Sequence, residues 1–129
     1  MVEDDDDTRE VLTLGLELRG ARVRAVGSSA AALRMIQDEA PDVILSDIGL
    51  PDEDGLALIR RIRRLPAHRG RIPAAAVTAF TLGDDAEAAL RAGYQRHLPK
   101  PVETRDLFRA VEELAEGGDV ERRQSRRAG

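Results

Sequence analysis

With 129 residues and a net charge of -4, the chain has the length of a single domain with one core. No long apolar run interrupts its 34% charged residues, which excludes a membrane-spanning helix and a secretory leader and points to a cytoplasmic protein. Zero Cys excludes disulfides, thiol catalysis and thiolate metal sites, two His disfavour a zinc centre, and three aromatics with an acidic balance disfavour direct nucleic-acid binding.

Residues 11–18 (VLTLGLEL) fit two periods, because Leu12, Leu14, Leu16 and Leu18 alternate while Val11, Leu14 and Leu18 share a helical face. The lead-in from Asp7 to Glu10 offers a cap and first-turn negative charge, so a helix is expected there. Residues 22–26 (RVRAV), 42–46 (DVILS) and 72–78 (IPAAAVT) read as strands, with a weaker one at 95–98. Between them run helical spacings: Leu33, Ile36, Ala40; Leu58, Ile59, Ile62, Leu65; Ala86, Ala89, Leu90; Leu107, Val111, Leu114. Ser29, Asp54, Asp84 and Thr104 stand at the expected helix starts, and Gly93 and Gly117 at the expected ends. This alternation predicts an α/β fold, a parallel sheet with helices on both faces. After Gly117 no apolar pattern remains, giving a domain over 1–117 and a disordered tail over 118–129. The cluster Arg60, Arg61, Arg63, Arg64, Arg69 and Arg71 flanks an apolar stripe and reads as a solvated helix face.

Ligands in an open α/β sheet gather beyond the carboxyl ends of the strands. Those ends carry Glu3 and Asp4 before the first helix, then Asp47, then Thr78, then Lys100 with Pro101. Oxygen ligands without His or Cys suit Mg²⁺. A hydroxyl and an ammonium opposite them suit a phosphoryl group, whose transfer depends on positioning and charge neutralisation. Lys100 is the single lysine beside 19 arginines, and a compact ammonium fits a tight phosphate site where a planar guanidinium does not.

Glu3-Asp4, S-D-I-G-L-P-D-E-D-G around Asp47, V-T-A at 77–79 and L-P-K-P at 98–101, in that order on successive strand ends, resemble the receiver domains of bacterial two-component response regulators. The resemblance covers Glu3 to about Glu116. It implies a flavodoxin-like doubly wound sheet of (βα)5 topology, with Asp47 accepting a phosphoryl group from a phosphohistidine. By the same resemblance Glu3, Asp4, Asp47 and the Gly49 carbonyl hold Mg²⁺, and Thr78, Ala79 and Lys100 hold the phosphoryl oxygens. Thr78 and His97 would form a switch acting on the fourth helix and last strand, and Lys100–Pro101 would be cis. The implied partner is a sensor histidine kinase or histidine phosphotransfer domain, for a stand-alone receiver or one from a hybrid kinase, with a homodimer allowed and no membrane partner. Such a module is not an enzyme beyond its own phosphorylation and dephosphorylation.

One departure stands out. Only Met1 and Val2 precede the acidic pair, where an apolar strand of about five residues is expected, so the first strand is largely missing. A pseudo-receiver that binds partners without phosphorylation is the alternative this raises. A Mg²⁺-dependent phosphatase forming an aspartyl phosphate is disfavoured, because the place of its second acid holds Gly49.

Overall fold

The computed structural model describes the chain apart from Pro51, residues 79–82 and Gly129, with side chains described outside 83–85 and 117–128. Three parallel strands form the sheet in the order β1 (Ile44–Asp47), β2 (Ala74–Thr78), β3 (Arg96–Pro99). Five helices surround it: α1 (Asp6–Leu18), α2 (Ser29–Asp38), α3 (Gly55–Arg63), α4 (Gly83–Ala92) and α5 (Thr104–Ala128), with a 3-10 turn at Ala67–Arg71.

Alternation along the strands divides the core into two layers. Ile44, Ala74 and Ala76 face Ile36, Leu58, Ile59, Ile62, Ala89 and Tyr94 from the side of α2, α3 and α4. Leu45, Ala75 and Val77 face Leu16, Leu107 and Leu114 of α1 and α5. β2 is buried along its whole length, as expected of a strand covered on both faces. Its alanines leave room for helices to approach closely.

The expected strand at 22–26 is not formed. Val26 alone makes a parallel bridge to Val2, which bridges Ser46 on its other side. A strand exists only through its partners, and among the described residues segment 22–26 has no ladder beyond that single bridge. Val2 N–H donates to Leu45 O at 2.7 Å, Asp47 N–H to Val2 O at 2.9 Å, Glu3 N–H to Val26 O at 3.0 Å and Val26 N–H to Met1 O at 2.9 Å. The Met1 ammonium donates to Arg24 O at 2.8 Å, and burial, reinforced by the nearby Arg24 cation, lowers its pKa to about 6.

α1 is helical as expected, but a different stripe faces the core. Leu16 is buried and Leu12 packs beside it, whereas Val11, Leu14 and Leu18 are 63, 57 and 78% exposed. The helix starts earlier than its apolar residues suggest, because Asp5 accepts from Thr8 N–H at 2.9 Å and caps it. α2 is capped by Ser28 rather than Ser29, through Ala31 N–H. Asp54 caps α3 by accepting from Ala57 N–H at 2.8 Å, as expected. α4 already includes Asp84, and α5 begins at Thr104 with Leu107 N–H bonded to Glu103 O. Gly93 closes α4 at φ +132, a region that glycine enters freely. Gly117 does not end α5, which crosses the 117/118 boundary and runs to Ala128. The Glu, Arg and Gln that follow Gly117 lack an apolar face but are good helix formers.

Two arginines of the cluster read as solvated are braces instead. Arg63 donates to Gly93 O, Gly70 O, Ile72 O and Gln95 Oε1, pinning the end of α3 to the turns before β2 and β3. Arg69 donates to Ile36 O and Gln37 O at the end of α2.

Candidate functional site

The carboxyl ends of the three strands and the segment after Val2 meet at one edge. β1 delivers Asp47, buried at 8% exposure, and the bridge at Val2 delivers Glu3, at 4%. Asp4 follows, exposed, and one carboxylate oxygen from each of Glu3, Asp4 and Asp47 lies within 4.8 Å of the other two. Lys100 reaches in from the end of β3, its Nζ 2.8 Å from Asp47 Oδ2 and 3.7 Å from Glu3 Oε1. Its backbone N–H donates to Thr78 O at 2.6 Å, tying it to the end of β2. The Lys100–Pro101 peptide is cis.

Burial and then the adjacent Asp47 raise the Glu3 pKa from 4.5 to about 7. Burial opposes the Lys100 ammonium, yet Asp47 and Glu3 outweigh it and raise its pKa. Two buried carboxylates side by side repel each other, and a cation between them removes that cost. An all-oxygen donor set with one exposed member suits a hard, partly hydrated divalent ion, so these residues fit Mg²⁺.

The loop after β1 is shaped by close backbone contacts. Gly49 N–H donates to Asp47 Oδ1 at 3.2 Å, and Gly55 N–H donates to Ile48 O at 2.7 Å. A Cβ on Gly55 would stand 2.5 Å from Asp47 O and 2.8 Å from Ile48 Cα, so only glycine lets α3 start this close to Asp47. Buried Tyr94 donates its hydroxyl to Gly55 O at 2.7 Å, and burial raises its pKa to about 12. Asp52 holds the far side of the loop by accepting from Ser29 N–H and Ala30 N–H, both at 3.1 Å. These amide bonds lower the Asp52 pKa.

At the end of β2, Thr78 is buried and its Oγ1 lies 2.5 Å from His97 Nε2 on β3. Glu3, Asp4, Asp47 and Lys100 thus form one cluster, Gly49 borders it, and Thr78 is tied to it through Lys100 and to His97 by side chain. Ala79 lies outside the described residues.

Arg9, Asp52 and Tyr94 were not singled out in the sequence. Arg9 donates to Glu3 O at 2.9 Å and to Asp6 Oδ1 at 2.5 Å, fixing the backbone that presents the acidic pair. Its position three residues after Asp6 on a helix was the available signal. Asp52 lay in plain view within the D-E-D-G run. Nothing in the sequence marked Tyr94 as reaching Gly55, since that contact spans 39 residues.

A parallel α/β sheet with clustered acids, a lysine and a hydroxyl at its carboxyl edge fits a phosphoacceptor site. Residues 1–112 match the family model of the response regulator receiver domain, and the chain belongs to that family. It is 40% identical over 113 residues to an uncharacterised 14.6 kDa protein of Leptolyngbya boryana, covering 88% of this chain and 86% of that one. It is 32% identical over 121 residues to the transcriptional regulatory protein AfsQ1 of Streptomyces coelicolor, covering 94% of this chain but 52% of the regulator. Among solved structures, a putative response regulator from Chloroflexus aurantiacus superposes with a TM-score of 0.82 at 34% identity, over 89% of this chain and 94% of that one. No helix among the described residues is long and apolar enough to cross a membrane.

Proposed function

We propose that this receiver domain is the phosphoacceptor of a two-component system, with Asp47 taking a phosphoryl group from a phosphohistidine on a sensor histidine kinase or histidine phosphotransfer domain. The observation that carries this reading is the buried Asp47 carboxylate with Lys100 Nζ at 2.8 Å and two further carboxylates within reach of one ion. An Asp47 oxygen forms the new P–O bond as the P–N bond breaks, and the released imidazole takes up a proton. Lys100 neutralises charge on the phosphoryl oxygens, and Thr78, with the Ala79 N–H, donates to them. Glu3, Asp4, Asp47 and the Gly49 carbonyl would hold Mg²⁺, which supplies further charge neutralisation at the transferring group. No step requires an acid at Gly49, consistent with a signalling module rather than a phosphatase.

The switch follows from the same contacts. The Thr78 hydroxyl is engaged with His97 at 2.5 Å, so recruiting it to a phosphoryl oxygen breaks that pair. His97 then repacks at the surface formed by β3 and α4, where a partner reads the state. The unit is a cytoplasmic (βα)5 receiver over 1–117, with Val2 standing in the place of the first strand and 118–129 as a tail.

Intact-mass measurement with a small acyl phosphate donor tests the reading. One phosphoryl adduct is expected with Mg²⁺, none without it, and none in Asp47→Asn. Equal labelling of that variant overturns the assignment, and no adduct under any condition leaves a partner-binding module that works without phosphorylation.

A further inference from the structure

A cavity of about 400 Å³ adjoins the acid cluster on the side of the sheet that faces α1 and α5. Leu45 and Val77 of the strands, Leu12 of α1, Leu107 of α5 and Val102 wall it, and Glu3, Asp47 and Lys100 border it as well. Asp47 stands two residues beyond Leu45 along β1, a rise of about 7 Å, so the charged groups mark one end and the aliphatic ones the rest. The volume falls at the small end of the range for organic ligands, about 300–1,000 Å³.

A metal ion accounts for the acids but not for the apolar space beside them. A hydrated divalent ion has no part that packs on aliphatic walls, and water there finds few hydrogen-bond partners. The ligand that matches both ends is amphipathic, and charge fixes its head. Three carboxylates, one oxygen of each within 4.8 Å of the other two, stand against the single ammonium of Lys100, so the head is a cation. Lys100 takes Asp47 Oδ2 at 2.8 Å, and the other carboxylate oxygens suit a second compact ammonium better than a wide planar guanidinium. The walls fix the tail. An amino acid would bring its own carboxylate against Glu3 and Asp47, and a diamine would bury its second charge among Leu45, Val102 and Leu107 without a partner.

We propose that the cavity and the acid cluster together bind a primary monoamine with an alkyl or arylalkyl tail, its ammonium among Glu3, Asp4 and Asp47 and its tail against Leu12, Leu45 and Leu107. The amine takes the place of Mg²⁺ and blocks phosphorylation of Asp47 by exclusion. This rests on the acid cluster as a cation site and adds to it the apolar half that a metal does not use.

Hexylamine, ethylamine, hexanol and putrescine, titrated into the full chain at neutral pH, test the proposal. Methyl NMR signals of Leu12, Val102 and Leu107 follow binding, and Mg²⁺ is titrated in parallel. Each buried methylene is worth about fourfold in affinity. Hexylamine is therefore expected to bind at least about thirtyfold more tightly than ethylamine, more tightly than hexanol or putrescine, and to be displaced by Mg²⁺. Val102→Phe fills the space and should remove the gain from the tail while leaving Mg²⁺ affinity unchanged, which also shows that the variant is folded. Leu12→Phe repeats the test from the α1 wall. Hexylamine binding no tighter than ethylamine overturns the proposal, as does hexanol or putrescine binding equally well, or Mg²⁺ failing to compete. A gain that survives both phenylalanine variants places the tail elsewhere and overturns it too. Mg²⁺ binding with no gain from the tail strikes the amine alone and leaves the phosphoacceptor reading intact, whereas a chain that binds neither loses both.

Discussion

The two ends of the sheet differ in how completely they are paired. At the carboxyl end, Val2, β1, β2 and β3 lie side by side and each presents a functional group on a bonded backbone: Glu3, Asp47, Thr78 and Lys100 in turn. At the amino end, apolar side chains line the space between segment 22–26 and β1, and among the described residues no ladder joins the two below Val2. The comparison teaches that site geometry and fold stability draw on different parts of one sheet. Chemistry needs only the last residue or two of each strand, whereas cohesion needs their full length.

Substitutions at the carboxyl end should therefore damage function more than stability. Lys100→Arg is the sharpest of them. It keeps the charge but not the compact ammonium, and the expected outcome is phosphorylation that proceeds while the response at β3 and α4 is lost. Comparison of amide spectra with and without a phosphoryl mimic checks this, and an arginine variant that responds fully would show that the single lysine carries no special role.

Within the loop after β1, two glycines divide. Gly55→Ala forces a Cβ against the Asp47 carbonyl and should cost about 1–3 kcal/mol by overpacking, together with slower phosphorylation. Gly49→Ala meets nothing within 4 Å and should stay within about 0.5 kcal/mol. Urea denaturation of the pair measures the contrast.

Acidity acts through Glu3. Its pKa is 4.5 when exposed and about 7 in the fold, so the folded chain keeps a proton that the unfolded chain has lost. The metal-free fold should accordingly lose stability as pH rises from 4.5 toward 7. Mg²⁺ competes with that proton, so its affinity should fall below pH about 7, by at most about tenfold per unit. Titrations at several pH values check this, and Glu3→Gln should flatten the dependence. The smallest effect belongs to the open end, where exposed Arg24 and Glu39 form an ion pair worth under about 1 kcal/mol. Glu39→Gln should barely move the melting point.

Much of the site was legible because its residues are marked locally: an acid, a hydroxyl or a lysine closes an apolar run, and the runs follow one another in order. β1, β2, β3 and the helical alternation were legible for the same reason. Segment 22–26 was not, because its sequence carries strand propensity while pairing depends on residues elsewhere. On α1 the apolar residues span more than one face, and only packing against α5 selects Leu12 and Leu16 over Val11, Leu14 and Leu18. Arg63 and Arg69 looked like solvent-facing charge because the carbonyls that hold them belong to distant turns.

The central claim, that Asp47 carries the phosphoryl group, is tested most directly by locating the adduct. Borohydride reduction of the phosphorylated chain converts an aspartyl phosphate to homoserine, and peptide mass mapping finds the altered residue. The account predicts homoserine at position 47 alone, formed only in samples treated with donor and Mg²⁺. Homoserine at Asp4, at another acid, or at no position in a chain that has gained phosphoryl mass would contradict it.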